Sequence, residues 1–352
     1  MASYVPGKAI EEVQRELGIK HLTKLASNEN MLGPSPKAIE AIQKELPSIY
    51  FYPEPACTLL RQALARKFSL LEENLVISNG ADNLILLITN AFVNDGDEVV
   101  MADPTFPVYT NATQIMGGKV VKVKLKNNTH DLPGMLKKVR RKTKLVFVCN
   151  PNNPTGTIVS KRSLDRFLSG LPEHVIAILD EAYGDFADRA DYPDGPGYVK
   201  RGRPIIVLRT FSKVYGLAGL RIGYAVGNKD LIDCIYRVRE PFPVHRLGQA
   251  GAVAALEDRA YVKRSIRMVL EGRKYLYCEL DKMGLSYIPS QASFVFIDIG
   301  KDSKEAHQDL LREGIIVRPG YVWGYPTFPR VTVGRPEDNR RFIRALKKIL
   351  KK

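Results

Sequence analysis

Cysteine is scarce in this chain of 352 residues: Cys57, Cys149, Cys234 and Cys278 stand far apart, with no C-x-x-C pair. That spacing excludes a disulfide framework and a thiolate metal cage, and it fits a reducing cytoplasm. The five histidines show no ligand spacing either, so no metal is expected. Long hydrophobic runs are also missing. No apolar stretch approaches the roughly 18 residues of a membrane span. The opening carries Lys8, Glu11, Glu12, Arg15 and Glu16, which excludes a signal-peptide core. Acidic residues are in deficit, 38 against 53 Lys and Arg, for a formal charge of +15. Such a charge attracts anionic small molecules or nucleic acid. The basic runs at 137–144, 200–203 and 347–352 have no interleaved aromatics, zinc spacing or basic-helix motif. They read as solvated faces. The expectation is a soluble cytoplasmic protein with no nucleic-acid or membrane partner.

Hydrophobic residues make up 45% of the chain and charged residues 26%, enough apolar matter for one or two substantial cores. Between residues 56 and 240, short apolar β-rich runs alternate with helical stretches. Strands are predicted at 75–78, 98–102, 119–123, 145–149, 175–179, 205–209 and 223–226. Helices fall between them at 58–68, 82–92, 108–116, 132–140 and 161–168. The runs at 145–148 and 175–179 are apolar throughout, as strands buried on both faces of a mainly parallel sheet must be. After Arg239 the texture changes. Helices at 247–256, 261–283 and 303–313, strands at 294–298, 315–318 and 330–333, and a final basic helix describe a smaller α+β domain. The first thirty-odd residues are too short to fold alone and are expected to join it. The fold class is α/β, with a large three-layer domain over 35–240 and a small domain from 1–34 and 241–352.

Chemistry concentrates where the predicted strands end. The run 205–209 opens into Thr210, Ser212 and Lys213, with Arg221 eight residues beyond the lysine. An amine beside two hydroxyls and a guanidinium suits a phosphorylated aldehyde: the amine condenses with it, and the others hold the phosphate. Alone, Lys213 would read as an exposed loop lysine. The run 175–179 leads into Asp180, and a carboxylate ending a buried strand is costly without a positive partner. A protonated pyridine nitrogen is such a partner; a plain helix cap is the alternative. Tyr183 and Asn153, the latter in the rigid turn at 150–156, can donate to a phenolic oxygen on the same ring. The turn after 75–78 offers backbone N–H groups at Ala81 and Asp82 to a phosphate at a helix start. Tyr109 offers a face for ring stacking, although Phe106 or Tyr109 in the core is equally simple.

Taken together, these segments resemble the fold-type-I pyridoxal-phosphate aminotransferases, in particular the histidinol-phosphate aminotransferase subfamily and its aromatic-aminotransferase relatives. Tyr4-Val-Pro-Gly-Lys8, Leu25-Ala-Ser-Asn-Glu-Asn30, Gly33-Pro-Ser-Pro36, Tyr52-Pro-Glu and the ending from Arg318 to Gly334 extend the likeness over the full length. The resemblance implies a three-layer transferase fold with pyridoxal 5'-phosphate as cofactor. It makes Lys213 the Schiff-base lysine and proton shuttle, and pairs Asp180 with the pyridine nitrogen. Asn153 and Tyr183 bind the ring oxygen, and Tyr109 stacks on the ring. Ala81, Asp82, Thr210, Ser212 and Arg221 hold the phosphate. Tyr52 reaches the neighbour's cofactor in a homodimer with shared active sites. Arg318, Arg330 and Asn30 take the substrate.

The implied reaction moves an amino group between an anionic amino substrate, first of all histidinol phosphate, and 2-oxoglutarate/glutamate in histidine biosynthesis. An aromatic amino-acid aminotransferase and a threonine-phosphate decarboxylase share the cofactor residues, and a sensor domain of the same fold is the non-enzymatic alternative. Three departures from the family pattern, Met31, Ser293 and the stretch 241–245 ending in His245, are expected where substrate choice is made.

Overall fold

The computed structural model describes residues 21–351, and before them Glu12, Gln14, Arg15 and Gly18. The Tyr4–Lys8 motif lies outside the described residues. The strands in chain order are β1 (Thr23–Lys24), β2 (Leu75–Ser78), β3 (Glu98–Asp103), β4 (Lys119–Lys124), β5 (Thr143–Cys149), β6 (Ile176–Asp180) and β7 (Ile205–Thr210). They continue with β8 (Gly223–Gly227), β9 (Ser286–Ile288), β10 (Phe294–Asp298), β11 (Ile315–Ile316), β12 (Arg318–Pro319) and β13 (Pro329–Thr332).

Seven of these form one sheet in the order β2-β8-β7-β6-β5-β3-β4. The pairs from β7 through β4 are all parallel, whereas β8 runs antiparallel to both β7 and β2. Six strands therefore point one way, and their C-terminal ends share one edge with the start of β8. Period-two alternation explains why the inner strands carry no polar face. In β5, Val146 and Val148 face one core while Leu145, Phe147 and Cys149 face the other. In β6, Ala177 and Leu179 divide from Ile176 and Ile178 in the same way. Helices cover both faces, so every side chain of these runs is removed from water, each large one contributing about 1.5–3 kcal/mol. This is the mainly parallel α/β arrangement expected.

A second sheet, β12-β13-β10-β9, is antiparallel throughout. The chain at 315–318, expected as one strand, divides between two partners. Ile315–Ile316 pairs in parallel with β1, and Arg318–Pro319 turns to pair with β13. The sequence shows only a continuous apolar run there, because both halves are buried by different neighbours. Three helices were not anticipated, Pro36–Glu45, Gly195–Val199 and Lys229–Val238, nor were the short strands β1 and β9. Among the described residues no helix is long and apolar enough to cross a membrane.

At the shared edge, β8 begins where the helix Gly80–Phe92 begins, and the two backbones touch. A Cβ on Gly223 would lie 2.7 Å from both the Ala81 nitrogen and the Gly80 carbonyl carbon. Backbone cannot rotate aside as a side chain can. Gly223→Ala should cost about 1–3 kcal/mol of stability by overpacking, read as a lower urea midpoint at unchanged slope. An unshifted midpoint would show that the turn yields freely.

Candidate active site

The strand ends of the large sheet enclose a cavity of about 390 Å³, lined from the expected set by Ala81, Asp82, Asn153, Asp180, Tyr183, Thr210, Ser212, Lys213, Arg221, Arg318 and Arg330. Most of these residues converge because the parallel strands deliver their C-terminal ends to the same place; Arg221 comes from the turn before β8, and Arg318 and Arg330 are brought in by the second sheet.

Asp180 ends β6, the middle strand, and is 3% exposed. Its carboxylate accepts a hydrogen bond from the Tyr109 hydroxyl at 2.5 Å and another from the Ala182 N–H at 2.9 Å. Burial pushes its pKa up, and these two donors pull against that rise. Among the described residues both donors are neutral, so a buried acid here still lacks a directly bonded cation. A protonated ring nitrogen would supply it.

Lys213 follows β7 in the turn. Its Nζ donates to the Ser27 carbonyl at 3.0 Å and lies 5.5 Å from the centre of the Tyr183 ring. Loss of solvent, then the nearby Arg330 charge, lower its pKa to about 8. Tyr183 is buried and its hydroxyl accepts from Asn28 at 2.9 Å, which leaves the phenolic proton to be donated elsewhere. Asn153 is buried too, its side-chain oxygen held by Arg330 at 2.5 Å, so its amide N–H groups are the end left to face a ligand.

The opposite end of the cavity is built for an anion. The helix Gly80–Phe92 starts there, and its first turn supplies Ala81 and Asp82. The Thr210 hydroxyl accepts from the Ser212 N–H at 3.0 Å, and Arg221 reaches Ser212 Oγ at 3.3 Å and Asp82 at 3.5 Å. Two hydroxyls, a helix N-terminus and a guanidinium fit a phosphate monoester, while an acid and an amine lie further in. A phosphorylated pyridine aldehyde matches each of these groups in turn.

Three expectations are corrected. Tyr109 does not face the cavity. It is fully buried, stacked on Phe147 with ring centres 4.4 Å apart, and turned so that its hydroxyl meets Asp180. Phe106 lines the cavity instead and offers the aromatic face. Asn30 is likewise absent from the lining: its amide donates to the Val214 carbonyl and to Ser265, tying loop to helix. Asn28 and Glu29 take that place. Met31, Ser293 and His245 also stand away from the cavity. Met31 packs against the core, Ser293 is buried, and His245 caps the helix Arg246–Glu257 by accepting from the Gly248 N–H. Tyr52, expected at a neighbour's cofactor rather than in its own cavity, is 79% exposed and stacked on Phe242.

Several lining residues were not anticipated, among them Ala26, Ser27, Cys149 and Ala182. Asn28 carried one readable sign, an asparagine inside a motif, and its left-handed φ of 56° shows why that residue type suits the bend. Ser27 contributes only its carbonyl, which no side-chain pattern reveals.

This fold and this site belong to a recognised group: the chain is a member of the aminotransferases of class I and II, whose pattern it matches over residues 20–346. Individual relatives narrow the likeness. Histidinol-phosphate aminotransferase of Moorella thermoacetica is 51% identical over 348 residues, 99% of this chain and 90% of the relative. Histidinol-phosphate aminotransferase 2 of Carboxydothermus hydrogenoformans is 45% identical over 99% of this chain and 96% of its own length. Among solved structures, histidinol-phosphate aminotransferase from Sinorhizobium meliloti, in complex with pyridoxal-5'-phosphate, superposes with a TM-score of 0.92 at 31% identity, covering 99% of this chain and 95% of that one.

The Tyr109–Asp180 bond makes a prediction of its own. The hydroxyl stabilises the charged carboxylate, so Tyr109→Phe should raise the Asp180 pKa further, a charge-assisted hydrogen bond being worth about 1.5–3 kcal/mol. A carbon-13 NMR titration of the labelled aspartate carboxyl reads this directly. A titration identical to that of the unaltered protein would show that the bond does not form in solution.

Proposed function

We propose that this aminotransferase uses pyridoxal 5'-phosphate to move the amino group of histidinol phosphate to 2-oxoglutarate, as a step of histidine biosynthesis. The observation that carries the reading is the pair Arg318 and Arg330, set directly opposite each other across β12 and β13 beside the cavity that holds Lys213. One site must accept a phosphate ester in one half-reaction and a dicarboxylate in the other. Two guanidinium forks side by side suit both anions. The likeness to relatives of that name, over nearly the whole of each chain, supports the same choice.

When bound, the cofactor supplies the aldehyde that receives the amino group and a ring that draws electrons from the substrate carbon. The protein's residues do the rest. Asp180 keeps a proton on the ring nitrogen, its charge favoured by Tyr109 and Ala182. Asn153 and Tyr183 donate to the ring oxygen and fix the plane. Ala81, Asp82, Thr210, Ser212 and Arg221 anchor the phosphate, and Phe106 covers one ring face. Lys213 moves the proton. With a pKa near 8, roughly a tenth of its amine is neutral at pH 7, about 300-fold more than for an ordinary lysine. That neutral fraction rises with pH, so capture of the aldehyde by the cofactor-free protein should accelerate up to and level off above pH 8.

Residues 35–240 form the large cofactor-holding domain in this reading, and 1–34 with 241–352 the small one. The active unit is a homodimer. Leu46, Ile49, Tyr50, Phe51, Tyr52, Leu59 and Phe242 are all between 44% and 79% exposed, a concentration of bare apolar surface that a second copy would cover. Tyr52 would then stand at the partner's cofactor phosphate. Sedimentation should give twice the mass of one chain, and Phe51→Asp should shift it towards the monomer with loss of turnover. A monomer that keeps full activity would end this part of the reading.

The chemistry is tested by Lys213→Ala, which should fold, bind cofactor without the visible band of the lysine adduct, and lose turnover by at least ~1000-fold. The substrate is tested separately. Histidinol phosphate, phenylalanine and threonine phosphate are each added to the yellow protein, and histidinol phosphate should bleach it at the lowest concentration. Preferential bleaching by either of the others would reassign the substrate.

A further inference from the structure

The chain contains one tryptophan, Trp323, and it lies against both arginines assigned to the substrate. Its ring centre is 5.0 Å from the guanidinium carbon of Arg330 and 6.0 Å from that of Arg318. Arg318 and Arg330 are register partners on neighbouring antiparallel strands, where like charges repel. An aromatic face attracts a cation through its ring quadrupole. One indole can therefore offset the repulsion of both arginines. It does so without adding negative charge, whereas a carboxylate placed there would compete with an anionic substrate for the same donors.

The backbone that carries the indole is closely held. Trp323 closes the single turn Gly320–Trp323, which follows β12 directly. Gly320 has no room for a Cβ, since one would collide with the Phe328 carbonyl oxygen. The Tyr321 N–H is held by Ser303 Oγ at 3.2 Å, and the Tyr325 N–H by the Gly320 carbonyl at 3.1 Å. The indole also meets Phe296 edge-on, with ring centres 6.1 Å apart. On the far side, Arg330 is fixed by its bonds to Asn153 and to the Ala26 carbonyl, and lies 5.3 Å from the Phe294 ring. Trp323 itself is not part of the cavity lining.

We infer that Trp323 is a positioning residue which holds Arg318 and Arg330 together as one receptor for the substrate's anionic group, and so sets affinity rather than the rate of proton transfer. The inference rests on the reading that these two arginines receive that group. No contact joins the indole to Lys213 or Asp180, and Arg330 keeps its charge and its bonds to Asn153 and the Ala26 carbonyl without it, so the loss falls on the pairing with Arg318 and binding should separate from chemistry.

The test uses the holoenzyme with Trp323→Leu and Trp323→Phe, assayed with histidinol phosphate and with glutamate as amino donors. Trp323→Leu should raise KM for both donors roughly ten-fold, with kcat changed less than about two-fold and the visible cofactor band, including its pH dependence, unaltered. Trp323→Phe keeps an aromatic face and should recover KM to within about three-fold of the original. Unchanged KM values in the leucine variant would overturn the inference, as would a fall in kcat accompanied by a shifted cofactor band. Should the leucine variant fail to fold, the unaltered protein still decides. As the sole indole, Trp323 should change its emission saturably when inorganic phosphate is added, and Arg330→Leu should abolish that response. No response in the unaltered protein overturns the inference. If the unaltered enzyme rejects histidinol phosphate but accepts glutamate, the substrate reading fails while the effect of Trp323 on the glutamate KM still stands or falls alone.

Discussion

A carboxylate removed from water at the end of the middle strand governs the rest of the site. Asp180 is the last residue of β6 and is buried there, so it cannot be moved outward without breaking the strand. Its surroundings answer that cost in sequence-distant steps. A hydroxyl comes from the helix after β3, an amide from two residues on in its own chain, and the charge of Lys213 acts from the turn after β7 without a bond. None of these is a full salt bridge, which leaves the acid stabilised enough to fold and still in need of a cation. A buried carboxylate prepared in this way favours a cationic partner over a neutral one.

The same economy of direction explains the phosphate end. Reversing β8 alone brings the start of that strand, rather than its end, to the shared edge. Gly223 then packs on the first turn of the helix that offers its N-terminus to the anion, and Arg221, two residues before it, is swung into the same cradle. The antiparallel strand is thus what lets residues from β7, β8 and the β2 turn meet around one group.

How much of this was legible in the sequence depends on what marks a residue there. The inner strands were legible because burial on both faces leaves an unbroken apolar run, and β5 and β6 were placed within two residues. Asp180, Thr210, Ser212 and Lys213, which the structure brings to one cavity, stood out because each ends or closely follows such a run. What failed was orientation. Phe106 and Tyr109 lie three apart after the same strand, and the stacking on Phe147 together with the bond to Asp180 turns the tyrosine inward while the phenylalanine faces the cavity. The helix Pro36–Glu45 was missed because only Ala38 of it is buried, and Gly195–Val199 because Gly-Pro-Gly reads as a turn. Met31, Ser293 and His245 depart from a pattern for reasons of packing and capping, so a departure in type did not locate the specificity region.

Residues 23–28 link the small domain's sheets to the cavity. This short segment pairs with β11, receives the Thr332 N–H at Leu25, and then presents the Ala26 carbonyl to Arg330 and the Ser27 carbonyl to Lys213. The Arg330 guanidinium and the Lys213 amine are therefore gauged against successive peptide groups of one short strap. Backbone oxygens are common to all amino acids, so the two bonds themselves do not depend on which side chains stand at 26 and 27, although buried Ala26 must stay small. They do depend on spacing: inserting or deleting a single residue there would slide both oxygens by a full peptide unit and detune both contacts together.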